Sequence, residues 1–234
     1  MEIPSKTRTV SLLLKLTVLL SATLGVLLSA HAAKSTFMGG GRVFMFFTIQ
    51  SNIAVALIAL IGAILLLSKA RPGRVWPVIQ FVGTVSITLT GVVFTLILAP
   101  TMGEAAWNAQ NVLTHVVVPA TAIADFLVTG AYGVIRKSSV VYVILPPGVY
   151  AGYAGVGYAA GWEFVNGSNY PYFFLNWGSS AGAFGFSDEL PFMGCVWWIL
   201  VLLLFLIAVG YVYLLLVDRI RAALTKKNRG GTSC

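Results

Sequence analysis

Six long apolar segments, separated by short stretches that carry most of the charge, constrain this chain more than any other feature. A helix needs about 20 apolar residues to cross the hydrocarbon core of a bilayer, and each segment reaches that length. The segments cover residues 10–30, 43–68, 75–99, 111–135, 140–161 and 191–217. Only 9% of the residues are charged, whereas soluble domains carry about 25%. The sequence therefore predicts an all-α integral membrane protein with one six-helix transmembrane domain over residues 1–234.

The basic residues predict the orientation of these helices. If the N-terminus is cytoplasmic, only Lys34 and Arg42 lie in loops on the opposite side. The cytoplasmic side then holds twelve basic residues: Lys6, Arg8, Lys69, Arg71, Arg74, Arg136, Lys137, Arg219, Arg221, Lys226, Lys227 and Arg229. Cytoplasmic loops are rich in Lys and Arg, so both termini are expected in the cytoplasm. This distribution explains the net charge of +8 without a nucleic-acid partner.

The first segment allows two interpretations. Ala30-His31-Ala32 resembles a signal-peptidase site, but the apolar stretch before it is longer than a usual signal core. We therefore expect a retained first helix, with His31 at its solvated end and Lys15 extended toward the basic side. The membrane would be the plasma or endoplasmic reticulum membrane in a eukaryote, and the inner membrane in a bacterium.

The fifth segment is rich in glycine and proline. Pro146-Pro147 interrupts it, and two small-xxx-small pairs predict close helix contacts. These pairs are Gly148 with Gly152 and Gly157 with Gly161. The connection that follows, residues 162–190, is strongly aromatic and has no Lys or Arg, so we expect it in the headgroup region.

A polar stretch near the start of the second segment is out of place in hydrocarbon. Thr48, Ser51 and Asn52 share one helical face, and Gln50 points elsewhere. Polar groups in a bilayer need partners. The face is therefore either a hydrogen-bonded contact between helices or the lining of a site.

Depth along the helices brings other polar groups to the same level. His115 lies four residues into the fourth segment, and Thr95 lies five residues before Pro100 at the end of the third. An ionisable side chain within a membrane indicates a functional site. Asp125 lies roughly 15 Å further along the fourth helix than His115. We expect Asp125 to be a structural acid, either protonated or bonded to the threonines of the third segment.

A hydroxyl beside a histidine is typical of nucleophilic acyl transfer, because the histidine can take the hydroxyl proton during attack. Thr48 would be the nucleophile and His115 the base. Oxyanion donors are expected among Asn52, Ser51 and Thr95. Asn111 lies one turn before His115, where it can orient the ring or meet the lipid headgroups. No metal or organic cofactor is expected.

Three motifs carry a resemblance to a known family. They are Phe-Thr-Ile-Gln-Ser-Asn at residues 47–52, Leu-Thr-His-Val-Val-Val-Pro at 113–119 and Tyr-Pro-Tyr-Phe-Phe-Leu at 170–175. Together with the number and order of the segments, they resemble the androgen-induced transmembrane protein family, which includes the androgen-dependent TFPI-regulating protein and bacterial relatives. The resemblance implies an intramembrane hydrolase of fatty acid esters of hydroxy fatty acids, with catalytic roles falling on Thr48 and His115. The Ser51-Asn52 pair and the Tyr-Pro-Tyr sequence are closer to the bacterial branch.

The sequence thus favours an intramembrane lipid-ester hydrolase whose substrate enters from the bilayer. A metal-dependent hydrolase is one alternative, with His31, His115 and acidic residues of the long connection as ligands, although no zinc motif is present. A small transporter or channel is another, since polar stripes and a broken helix are typical of transport pathways. A purely structural membrane protein is the third.

Overall fold

Each of the six apolar segments forms a helix in the computed structural model, which describes residues 3–34, 40–70 and 72–230. Arg71 lies outside the described residues. All six helices are long and apolar enough to cross a membrane, so the predicted all-α class is confirmed for this part of the chain. The cytoplasmic orientation of the termini stays a prediction.

Three of the six helices are regular and three change geometry along their length. The regular ones are α1 (Ser5–Ala33), α2 (Phe47–Leu67) and α6 (Cys195–Gly230). α3 runs from Trp76–Val93 through a π-helical turn at Phe94–Leu98 to Ala99–Met102, and α4 runs from Ala109–Val112 through a π-helical turn at Leu113–Val117 to Val118–Gly130. α5 begins as a 3₁₀ helix at Lys137–Ile144 and continues as an α-helix at Leu145–Ala159, so Pro146 and Pro147 occupy its first α-helical turn.

The outer surface of the bundle is apolar, as a lipid-facing surface should be. On α1, Leu13, Leu20 and Leu27 recur every seven residues and are each at least 60% exposed. A water-facing helix would place polar residues on such a face. The exposed leucines therefore support a helix surrounded by lipid.

α3 lies at the centre of the bundle and separates two apolar cores. It has the largest buried share of the six helices. One core joins α3 to α5, α6 and the long connection through Phe81, Val85, Val143 and Leu206. The other joins α3 to α1, α2 and α4, with Ile87 of α3 at its centre.

The connection between α5 and α6 covers one end of the bundle, here called the aromatic end. Its Phe164, Phe174 and Leu175 side chains are buried in the larger core. Arg42, between α1 and α2, pairs with Glu163 of the connection at 2.5 Å. The connection is thus packed onto the helices, in addition to any contact with headgroups.

The glycines of α5 divide into two kinds. A Cβ on Gly157 would lie 2.8 Å from ring atoms of Phe164 and Trp162. The predicted close contact is therefore present at Gly157, but it is made with aromatic side chains of the connection. The prediction for Gly148, Gly152 and Gly161 is wrong, because a Cβ at any of these positions would meet nothing within 4 Å.

We expect Gly157→Leu to destabilise the protein by about 1–3 kcal/mol, because the added side chain has no space against the aromatic rings. Gly152→Leu is the matched control. It should leave stability unchanged or slightly raised, since leucine is the better helix former. Thermal unfolding in detergent measures both, and equal effects of the two substitutions would contradict the packing described here.

A buried ion pair joins α1 to α4 at the end opposite the aromatic end. Lys15 donates to one carboxylate oxygen of Asp125, and the Ser11 hydroxyl donates to the other at 2.6 Å. Two expectations were wrong: Lys15 is buried against Asp125 and does not reach water at the basic side, and Asp125 pairs with α1 instead of the threonines of α3. Gly62 of α2 leaves room for the Lys15 stem, which a Cβ there would meet at 2.9 Å.

We expect Asp125→Asn and Lys15→Met each to lower stability by about 3–5 kcal/mol, because each leaves one buried charge without its partner. The double variant should be more stable than either single one. Glu163→Gln, which breaks the exposed pair with Arg42, is the control and should cost at most about 1 kcal/mol. Chemical denaturation in detergent checks this, and single variants as stable as the wild type would contradict it.

Candidate active site

Thr48 lies in the first turn of α2, at the aromatic end. The Phe46 carbonyl caps this turn by accepting from the amides of Ile49 and Gln50 at 3.1 Å each. The Thr48 hydroxyl lies 3.3 Å from Nε2 of His115 on α4. The predicted proximity of the two side chains is therefore confirmed, and their catalytic roles stay a prediction.

The backbone of α4 orients the His115 ring. Nδ1 lies 3.1 Å from the carbonyl oxygen of Asn111, which can only accept a hydrogen bond. Nδ1 therefore carries the proton in neutral His115, and Nε2 presents a lone pair to the Thr48 hydroxyl. The hydroxyl of Thr114, which donates to the Gln110 carbonyl at 2.8 Å, also lies 3.0 Å from Nδ1 and can accept from it.

The helical irregularities place the ring against α3. His115 belongs to the π-helical turn of α4, and Pro119 supplies no amide proton to the His115 carbonyl. Gly91 of α3 lies against that carbonyl, because a Cβ there would be 2.9 Å from its oxygen. Phe94 stacks on the imidazole with ring centroids 3.9 Å apart. The ring is thus fixed by a hydrogen bond at one edge and an aromatic face at one side.

Ser51 and Asn52 form a polar network behind the threonine. Both side chains donate to the Thr48 carbonyl, at 3.0 and 2.8 Å, and Asn52 also donates to the Thr114 carbonyl at 3.1 Å. The Ser51 hydroxyl lies 2.8 Å from that of Thr90 on α3. Their donors are committed to holding α2 against α3 and α4, so the expectation that they serve as oxyanion donors is wrong.

Thr95 and Asn111, also predicted as site residues, do not place their side chains beside the Thr48 hydroxyl. Thr95 is exposed on the outer surface, because the π-helical turn that begins at Phe94 turns Phe94 toward the bundle instead. The Asn111 side chain donates to the Ala106 carbonyl at 2.9 Å. Asn111 does orient His115, but through its backbone carbonyl.

Tyr172 is the site residue that depth along the helices could not reveal, because it lies in the long connection. Its hydroxyl is 3.5 Å from the Thr48 hydroxyl and 3.4 Å from the Thr48 amide nitrogen. The sequence signal that could have identified Tyr172 was the Tyr-Pro-Tyr-Phe-Phe-Leu motif at residues 170–175, which contains it.

An apolar cavity opens beside the Thr48 hydroxyl. It contains about 590 Å³ of space that no protein atom fills, part of it open to the surroundings. α3, α5, α6 and the connection line it, and its polar lining consists of threonine and tyrosine side chains.

The metal-site alternative lacks a cluster of ligands among the described residues. In residues 3–34, 40–70 and 72–230, no group of three or more His, Cys, Asp or Glu side chains is placed to hold a metal ion. His31 lies at the exposed end of α1.

Comparison with models of known protein families, with curated proteins and with solved structures gives no match for this chain.

Proposed function

We propose that this chain is an intramembrane hydrolase of lipid carboxylic esters, with Thr48 as nucleophile and His115 as general base. The observation that carries the proposal is the 3.3 Å distance between the Thr48 hydroxyl and Nε2 of His115. The other ring nitrogen, Nδ1, is held by the Asn111 carbonyl. A hydroxyl nucleophile needs a base within hydrogen-bond reach, and that base needs a group that orients it.

The reaction would proceed in two halves. Thr48 Oγ1 attacks the ester carbonyl while His115 Nε2 takes the hydroxyl proton. The tetrahedral intermediate collapses, the C–O bond to the alcohol breaks, and His115 returns the proton to the departing alcohol. Water then attacks the acyl-threonine with His115 again as base, which releases the carboxylic acid and restores the Thr48 hydroxyl.

The cavity supports a lipid as the substrate. It joins the Thr48 hydroxyl to apolar walls such as Leu89, Ile199 and Leu202, so the ester can lie at Thr48 with its acyl chain among these side chains. The motif resemblance supports fatty acid esters of hydroxy fatty acids as the substrate class.

The transporter alternative needs a water-accessible Asp125 on a polar pathway. Asp125 is instead buried and bonded to Lys15 and Ser11. This arrangement favours a structural role for the acid, and the hydrolase remains the better supported function.

The test is ester turnover by the purified protein in lipid nanodiscs. We expect a fatty acid ester of a hydroxy fatty acid to yield acid and alcohol in equal amounts. Hydroxylamine should divert part of the acyl group into a hydroxamate, because an acyl-enzyme can transfer to either nucleophile. No hydrolysis of this substrate or of a p-nitrophenyl ester, under conditions where the protein is folded, would contradict the proposal.

A further inference from the structure

Attack on an ester places negative charge on the carbonyl oxygen, and an efficient hydrolase holds hydrogen-bond donors where that charge develops. The donors must lie within about 3 Å of the oxyanion, which is the former carbonyl oxygen on the carbon that the nucleophile attacks. The Ser51 and Asn52 side chains already donate to the Thr48 carbonyl. The Asn111 side chain donates to the Ala106 carbonyl, and Thr95 is exposed on the outer surface. The oxyanion must therefore be held by other groups.

The first of these groups is the Thr48 amide. It lies in the first turn of α2, where amides have no acceptor within the helix. The positive end of the helix dipole of this 21-residue helix adds to the local field. Among the described residues, the acceptor for the Thr48 N–H is the Tyr172 hydroxyl, at a long 3.4 Å. Such a bond is weak, and a charged oxygen would replace it.

The second group is the Tyr172 hydroxyl. It faces both the amide and the hydroxyl of Thr48, at 3.4 and 3.5 Å, and both residues line the apolar cavity. Aromatic contacts fix its ring: it stacks on Phe174 with centroids 5.1 Å apart and meets the edge of Phe46 at 5.6 Å. Burial raises the pKa of the Tyr172 phenol, so the group stays protonated and able to donate.

We propose that the Tyr172 hydroxyl and the Thr48 backbone N–H form the oxyanion hole of the hydrolase, which makes Tyr172 a catalytic residue. This inference rests on the proposed function. As the Thr48 Oγ1–C bond forms, the carbonyl π electrons move onto oxygen, which accepts hydrogen bonds from the two donors. Tyr172 keeps its proton throughout, and the electrons return when the C–O bond to the alcohol breaks. The same donors act again during deacylation.

The experiment compares Tyr172→Phe with Tyr153→Phe in the purified full chain. The ring of Tyr153 lies 5.8 Å from that of Tyr150, which in turn lies 6.2 Å from that of Tyr172, and the variant likewise loses one hydroxyl. We expect Tyr172→Phe to lower kcat by about 10²–10³-fold with KM near the wild-type value, because the hydroxyl acts mainly in the transition state. Tyr153→Phe should retain wild-type kcat. If the two variants have equal kcat and hydrolysis still depends on Thr48, the oxyanion role of Tyr172 is overturned. The proposed hydrolase function would stand in that case.

A second variant keeps the test decisive if Tyr172→Phe folds poorly. Incorporation of 3,5-difluorotyrosine at position 172 preserves the hydroxyl and the shape while lowering the pKa of the phenol. A phenolate cannot donate a hydrogen bond. The activity should therefore fall on the alkaline side at a lower pH than in the wild type. An unchanged pH profile would contradict a donor role for Tyr172, whereas an inactive wild-type protein would overturn the proposed function itself.

Discussion

Thr48→Val should abolish ester hydrolysis, with kcat/KM falling by about 10⁴-fold or more, to the background rate. Valine nearly preserves the shape of threonine and removes only the hydroxyl that, in the proposed reaction, forms the acyl-enzyme. The Ser51 and Asn52 side chains bond to the backbone carbonyl of Thr48, which the substitution leaves in place. The loss should therefore appear in activity and not in thermal stability.

Two further variants make this prediction specific. Thr48→Ser keeps a hydroxyl in the same place and should retain measurable activity. Thr95→Val removes an exposed hydroxyl from α3 and should behave as the wild type. Steady-state kinetics on the purified proteins checks all three, and substantial turnover by Thr48→Val would exclude Thr48 as the nucleophile.

His115→Ala should lower kcat by about 10²–10⁴-fold, because removal of a positioned base costs that much in typical enzymes. Among the residues that the structure describes, His115 is the only one with a side-chain nitrogen within hydrogen-bond reach of the Thr48 hydroxyl. His31→Ala, at the exposed end of α1, is the matched control and should retain full activity. A loss of activity in both variants would indicate a general effect on folding or membrane insertion.

The double variant Thr48→Val/His115→Ala separates a catalytic unit from two independent contributions. Residues that act together lose most of their effect when either is removed. We therefore expect the double variant to be scarcely less active than Thr48→Val alone. Losses that multiply would show that His115 contributes in another way, such as substrate binding.

The sequence predicted much of the fold because its strongest signals are local. Each apolar segment shows its length directly, and depth along a helix follows from 1.5 Å per residue. That arithmetic correctly placed Thr48 and His115 at one level. It failed for Thr95, because a π-helical turn changes which residues face inward. The available signal was Pro100, which follows that turn at the same spacing as Pro119 follows the π-helical turn of α4.

Contacts between distant segments were harder to predict. Lys15 and Asp125 are separated by 110 residues, and their pairing depends on which helices are neighbours. Tyr172 lies in a connection without a regular period, so its depth cannot be counted from a helix end. Both contacts follow from side-to-side packing, about which a single sequence carries little information.

The proposed reaction requires a covalent bond between Thr48 and the substrate acyl group, and locating that bond by mass spectrometry tests it. The purified protein would be treated with a fluorophosphonate probe, digested and analysed by tandem mass spectrometry. We expect one adduct, on the Thr48 hydroxyl. Its yield should fall after prior incubation with the lipid ester, and it should be absent from Thr48→Val. An adduct on another side chain, or complete inhibition by the probe while Thr48 stays unmodified, would contradict it.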